Sequence, residues 1–161
     1  DLAADHRLDL SRVVVLGHSA GGQLALWAAE RHRLREDDPG ADPRVLPMAA
    51  VSLAGVTDLA VGESTNLGDG AVAGFLGNTD RDEAYRVASP LALLPADRPH
   101  IIVHGTDDDR VPLSFAQSYV ETARRPGTKV ELLQIDGADH FDPITPTSTS
   151  WAAVIARISE F

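Results

Sequence analysis

Gly17-His18-Ser19-Ala20-Gly21-Gly22 decides how this chain is read. Val13-Val14-Val15-Leu16 precedes it, an apolar and mostly β-branched run that predicts a buried strand. Gln23-Leu24-Ala25-Leu26-Trp27-Ala28-Ala29-Glu30 follows and predicts a helix, apolar nearly all round at its start and therefore expected to be buried. A serine at the apex of a sharp, glycine-bounded turn from strand to helix has the spelling and context of a G-x-S-x-G nucleophile elbow. So tight a turn strains the apical backbone and lifts its side chain above the sheet edge. The residues two before and two after are expected to be small, and Gly17 and Gly21 stand there. The serine oxygen then lies at a helix N-terminus, where free N–H groups favour developing negative charge. An ordinary N-cap serine in a glycine-rich loop fits the hexapeptide alone, but not the valine run and apolar helix around it.

The remaining chain alternates strands and helices. Residues 1–11 read as the tail of a helix and a loop leading to a strand at Arg12–Leu16, and the helix after Ser19 is expected to run to about Arg35. A polar loop with two prolines, Glu36–Arg44, leads to a second buried strand within Val45–Gly55, best at Met48–Ala54. Leu59–Asp80 is irregular and rich in Gly, Asn, Ser and Thr, with a short helix expected near Gly70–Gly77; it reads as an excursion over the sheet that lines a pocket. Arg81–Ala88 is a short charged helix. A third strand, His100–His104, precedes an amphipathic helix at Leu113–Arg124 with Ser114 as N-cap. A fourth strand, Lys129–Ile135, precedes a final helix opened by Ser148, whose apolar face holds Trp151, Val154, Ile155 and Ile158. This alternation implies an α/β domain with a parallel sheet of about four strands, spanning residues 1–161 as one unit.

The 161 residues suffice for one domain with a real core. At 43% hydrophobic and 24% charged, the composition is globular. A net charge of −10 argues against nucleic acid and anionic membrane surfaces as partners, and leaves a small neutral molecule open. The chain has no cysteine, which excludes disulfides and thiol chemistry. No run approaches a membrane span, and Asp1–Arg7 holds no signal-peptide core, so a cytoplasmic location is expected.

A serine hydroxyl needs a base to become a nucleophile, and the base needs an orienting acid. Both are offered just after strands: Asp107-Asp108-Asp109 after the third and His140 after the fourth. The order serine, acid, histidine, all at one C-terminal sheet edge, is the α/β-hydrolase order. With the elbow it carries a resemblance over the whole chain. The chain resembles the C-terminal part of an α/β-hydrolase, and is similar to the esterases, kynurenine-formamidase-like enzymes and prolyl-oligopeptidase-type hydrolases that share G-H-S-A-G-G. In that group the acid sits in H-G-x-x-D-x-x-V-P; laid on His104–Pro112, the pattern selects Asp108, with Asp107 and Asp109 as alternatives. The histidine sits in G-x-x-H-F, here Gly137–Phe141.

The resemblance implies a serine hydrolase acting on a small ester or amide. Ser19 would be its nucleophile, His140 its base, Asp108 its acid and the Ala20 backbone N–H one oxyanion donor. No cofactor or metal is expected, since the acidic loops match no calcium-loop spacing. His18 is expected to point away from the serine pocket as a structural residue, His104 to be a hydrogen-bonded core histidine, and His32 to belong to a solvated basic face. His6 and His100 carry no signal.

The family's second oxyanion donor comes from an early loop, often H-G-G, which is missing here, and a full α/β-hydrolase has several strands before its elbow. The chain also begins with Asp1, its only methionine being Met48. The expectation is therefore a partial α/β-hydrolase fold whose N-terminal strands are missing, a truncated piece of an active enzyme, with a minimal variant that completes its sheet by association as the rival. The uncovered edge at Val13–Leu16 would favour self-association. The competing functional reading is a catalytically impaired or non-catalytic fragment or binding module. A dinucleotide-binding domain is excluded, because the glycines do not spell G-x-G-x-x-G.

Overall fold

The computed structural model describes residues 5–161. Part of the helix tail expected at residues 1–11 falls on 1–4, outside the described residues, and residues 6–11 carry only turns and irregular chain. Four parallel strands form one sheet in sequence order: β1 (Val14–His18), β2 (Ala49–Leu53), β3 (His100–Gly105) and β4 (Val130–Ile135). The first strand runs two residues further than its apolar run suggests, because Gly17 and His18 pair with Ser52 and Leu53. Among the described residues β1 pairs on one side only, and Leu16 is 39% exposed.

Side-chain alternation sorts the strands' residues onto two faces. Ala50 and Ile102 pack under Leu26 and Ala29 of α1 (Ala20–Glu30), and under Ala116, Tyr119, Val120 and Ala123 of α5 (Ser114–Arg124). Val51, Leu53, Ile101 and Val103 face the other way, against Trp151, Val154 and Ile158 of α6 (Thr149–Ile158). Both central strands are buried on both sides, as their largely apolar runs lead one to expect, with Ser52, His100 and His104 buried among them. Ser148 caps α6 by accepting from the Trp151 N–H at 2.9 Å, as expected. Ser114 does not cap α5; Leu113 holds that position without a side-chain bond.

Three short helices lie between β2 and β3: α2 (Leu59–Ser64), α3 (Ala71–Leu76) and α4 (Arg81–Ala88). The second of these falls within the expected segment; α2 lies in a stretch read as irregular. Its N-terminus is fixed by Asp58, whose carboxylate accepts from the N–H groups of Ala60 and Val61. Val56, Leu59, Val72, Leu76 and Ala84 bury against Val111 and Phe115 of the third strand's loop and helix. This is a third, smaller core, set apart from the two that cover the sheet.

Two expectations about α1 fail. It ends at Glu30 rather than near Arg35, followed by a single tight turn at Arg31–Arg33. Its first turns are not buried all round, since Leu24 is 48% exposed. Glu30 explains the early stop. It is 1% exposed, and its carboxylate accepts from the N–H groups of Asp97 (3.0 Å) and Arg98 (3.3 Å) and from His100 Nε2 (3.2 Å). His100 Nδ1 lies 2.9 Å from the Tyr119 hydroxyl. One buried carboxylate thus ties the helix end to the entry of β3. His32 is likewise paired rather than merely solvated, 2.9 Å from Asp97. No described helix is long and apolar enough to cross a membrane.

Burial raises the Glu30 carboxyl, but the His100 bond and the two backbone N–H groups outweigh it and hold it below its ordinary value of 4.5. Its stabilisation is therefore complete above that value and lost as the pH falls through the lower folded one. Glu30→Ala is expected to cost about 3 kcal/mol in urea unfolding at neutral pH, since three donors lose their acceptor in the interior. The difference from wild type should shrink in acid solution.

Candidate active site

The chain leaves β1 and enters α1 through one strained residue. Ser19 has φ 57° and ψ −120°, a left-handed φ that non-glycine residues rarely hold. Its N–H donates to the Leu53 carbonyl at 2.8 Å, so the neighbouring strand holds the strain in place. A Cβ on Gly17 would lie 1.9 Å from the Gly21 carbonyl oxygen, and one on Gly22 would lie 2.6 Å from Ser52 Oγ and 2.9 Å from Gly55 Cα. A Cβ on Gly21 would meet nothing within 4 Å. The need for a small residue two positions after the serine is thus not met by Gly21's lack of a side chain. What Gly21 contributes is its carbonyl, packed against Gly17, and the crowded second glycine is Gly22. Ser19 and Ala20 stand at the start of α1, half-buried and exposed respectively.

The loops after β3 and β4 are joined by backbone. Gly105 approaches so closely that a Cβ there would lie 2.0 Å from the Ala138 carbonyl oxygen. The Asp107 N–H donates to that oxygen at 3.0 Å, and the Gly137 N–H donates to Thr106 Oγ1 at 2.8 Å. This join brings His140 Nδ1 to 2.8 Å from Asp108 Oδ2, with the Asp108 side chain wholly buried and His140 4% exposed. Of the three consecutive aspartates, only Asp108 reaches the ring. Asp107 accepts from Thr106 Oγ1, and Asp109 is exposed, 3.4 Å from Arg110.

Asp108 is surrounded by donors. Its Oδ1 accepts from the N–H groups of Arg110 (2.9 Å) and Val111 (2.8 Å), while Oδ2 faces His140 and, at 3.3 Å, His104 Nε2. Burial pushes this carboxyl up, but the His140 bond and the Val111 and Arg110 N–H groups more than offset it, leaving it below the usual carboxylate range. His104 is a core histidine as expected, its Nε2–H donating to the Val111 carbonyl at 2.8 Å. Burial pushes its ring down, towards the neutral form. An ionised Asp108 fixes the proton of a neutral His140 on Nδ1, which leaves the Nε2 lone pair free to accept.

Ser19 lies at this same edge, but no hydrogen bond joins Ser19 Oγ to the ring among the described residues. The direct tie between the serine turn and the histidine loop is His18, whose Nε2–H donates to the His140 carbonyl at 2.8 Å. Its ring also packs 4.5 Å from the His140 ring and 5.8 Å from Phe141. Sequence reasoning placed His18 as structural and turned away from the serine, and it missed this bridge. Only the unusual choice of a polar aromatic residue at the end of an apolar strand could have signalled it.

Beside Ser19 opens a cavity of about 470 Å³, walled by α1, the α2–α3 segment and Asp109–Val111. The expectation that residues 59–80 line a pocket agrees with this wall, which draws on Leu59 through Phe75. The described residues that could gather round a metal are Glu30, His32 and Asp97. They lie by the entry of β3, and their facing atoms already bond to protein groups.

A parallel sheet with a serine at the first strand-to-helix turn, and a bonded aspartate and histidine after the last two strands, defines an α/β-hydrolase fold. Residues 1–122 match BD-FAE, and the chain belongs to that family. A probable isoprenylcysteine alpha-carbonyl methylesterase of Arabidopsis thaliana is 27% identical over 158 residues, covering 86% of this chain and 32% of that one. A truncated form of a carbohydrate esterase from gut microbiota superposes with a TM-score of 0.75 at 20% identity, over 98% of this chain and 62% of the other. An acylaminoacyl peptidase in complex with Z-Gly-Gly-Phe-chloromethyl ketone gives 0.74 at 20%, over 99% and 25%. Apo Thermogutta terrifontis esterase 2 gives 0.70 at 25%, over 92% and 53%. The chain thus spans between about a quarter and three fifths of the length of these proteins, so what it shares is part of the hydrolase fold.

The glycine geometry separates two substitutions that the motif treats alike. Gly17→Ala should prevent the native turn and yield little folded protein. Gly21→Ala should fold, with its urea midpoint unchanged or raised by up to about 1 kcal/mol equivalent. His18→Phe, which keeps a ring but loses the donor, should cost about 1 kcal/mol, and His18→Gln should recover part of it.

Proposed function

We propose that this chain carries the reacting groups of a serine hydrolase that cleaves a carboxylic ester or amide through an acyl-enzyme. The observation that carries this reading is the 2.8 Å bond between His140 Nδ1 and the buried Asp108, at the edge where Ser19 stands in a strained turn. Relatives named as esterases and as an acylaminoacyl peptidase support both bond types.

In this mechanism Ser19 Oγ attacks the carbonyl carbon while its proton passes to His140 Nε2. Asp108 holds the ring's orientation and stabilises the imidazolium that forms. The negative oxygen of the tetrahedral intermediate points at the Ala20 N–H, for which no acceptor is formed within the described chain. Such a donor is worth roughly 3 kcal/mol of barrier. The intermediate collapses as the imidazolium gives its proton to the leaving oxygen or nitrogen. Water activated by the same ring then releases the acid and regenerates Ser19. The free Nε2 lone pair supplies the base, and Ser19 Oγ closes onto it in the substrate complex, as catalytic hydrogen bonds commonly do only once substrate is bound.

Labelling with a fluorophosphonate tests this. Wild type should be modified on Ser19, Ser19→Ala not at all, and His140→Ala at least about 100-fold more slowly. Equal labelling of wild type and His140→Ala would remove the base from the mechanism. Absence of labelling in wild type would favour a hydrolase-like module without turnover.

A further inference from the structure

His104 is a buried titratable group that the acyl-enzyme mechanism leaves without a part. It stands between Val103 and Gly105 at the end of β3 and is wholly buried. An apolar residue there would pack with no orphaned polar atom. The imidazole instead leaves its Nδ1 with no partner among the described residues, and an unpaired buried acceptor is destabilising. Its other nitrogen has two neighbours. Nε2 lies 2.8 Å from the Val111 carbonyl oxygen and 3.3 Å from Asp108 Oδ2. These contacts belong to one closed circuit. Val111 takes the His104 proton on its carbonyl and gives its own N–H to Asp108 Oδ1 at 2.8 Å. Asp108 then meets His140 Nδ1 through Oδ2, the oxygen that His104 flanks. Asp109 and Arg110, between the two ends of the circuit, are exposed and pair with each other, so the loop is held from its inner side at Val111. The Val111 side chain packs in the small core beside Phe115 while His104 holds its carbonyl, which leaves the residue little freedom to turn its N–H from Asp108.

We infer that His104 is a positioning residue for the acid: through the Val111 carbonyl, and by standing beside Oδ2, it holds the Asp108 carboxylate at the angle that meets His140 Nδ1. It does so as a donor without charge. Burial pushes the ring towards its neutral form, so His104 lies against the carboxylate without becoming its counter-ion, and the charge of Asp108 is left to His140. His104 touches no reacting atom and acts only through Asp108 and His140. Its effect on rate rests on the acyl-enzyme reading above. Its effect on the His140–Asp108 bond does not.

Three variants separate the donor from the bulk. His104→Gln can place an amide N–H where the Nε2–H stands, His104→Asn is too short to do so, and His104→Leu fills the space with no donor. Two quantities are read on folded protein, well below each variant's urea midpoint. One is the deshielded Nδ1 proton of His140 in the NMR spectrum, assigned by its absence in His140→Gln. The other is the rate constant for labelling of Ser19 by a fluorophosphonate. In His104→Leu and His104→Asn the proton signal should be lost to exchange with water, and labelling should slow about ten-fold or more, because small misplacements of a reacting group have effects of that size. His104→Gln should restore the signal and most of the rate. A purely structural role predicts lower urea midpoints with signal and rate unchanged, and that result would overturn the inference. So would His104→Gln behaving like His104→Asn. The wild type supplies an independent check through the ring-nitrogen NMR shifts, in which His104 should be neutral with its proton on Nε2. A proton on Nδ1 would overturn the inference even where no variant folds. A chain whose His140 signal depends on His104 as described, yet whose Ser19 is never labelled, would remove the acyl-enzyme reading and uphold the positioning of the acid.

Discussion

Two backbone segments touch where Gly17 meets Gly21, and the rest of the site is built on that contact. It sets a strand and a helix at an angle that only one residue can span, and Ser19 spans it with φ 57°. Strain of this kind costs on the order of 1–3 kcal/mol and persists only where neighbours over-determine it. Here the neighbour is β2, which takes the Ser19 N–H on its Leu53 carbonyl and packs Gly55 against Gly22. A matching close approach, Gly105 against Ala138, joins the loops that hold the aspartate and the histidine. Where the strands end, two glycines do what no side chain could. They let main chains touch, and the functional side chains follow.

The electrostatics at that edge rest on a buried charge. A carboxylate removed from water is costly unless donors replace the solvent. Asp108 receives them from two backbone N–H groups and from His140, with His104 also within 3.3 Å. Their combined effect exceeds the burial penalty, so the group holds its charge and with it the orientation of the imidazole. His104 contributes because burial favours its neutral form and the Val111 carbonyl holds its single proton on Nε2, leaving its Nδ1 with no partner among the described residues.

Much of this was legible in the chain itself, and the limits have physical causes. The alternation of apolar runs with amphipathic segments predicted four strands in parallel, because a helix between two strands carries the chain back to start the next strand in the same direction. The H-G-x-x-D pattern of the families the chain resembles singled out Asp108, and of the three aspartates it is Asp108 that bonds to His140 at 2.8 Å. Boundaries were less readable. Gly17 and His18 look like turn residues, and only pairing with Ser52 and Leu53 makes them strand. Helix α2 was missed because six residues carry too few turns for a periodicity, although Asp58 before it is a sound cap. The motif asks for a small residue at Gly21, yet the crowded position is Gly22, because the crowding comes from Ser52 and Gly55 of the β2 segment and not from the turn. The bond from His18 to the carbonyl of residue 140 lay beyond local pattern altogether, because it joins residues 122 positions apart and exists only in the folded chain.

The wall of the cavity and the groups beside it belong to separate pieces of architecture. Leu59, Val72 and Leu76 pack in a small core that meets the third strand's loop and helix through Val111 and Phe115, whereas Ser19, Asp108 and His140 hang from the ends of sheet strands. The segment between β2 and β3 can therefore drift, lengthen or be exchanged while the strand ends stay as they are. A lineage built this way can reshape the hollow beside the turn and leave the strand ends alone.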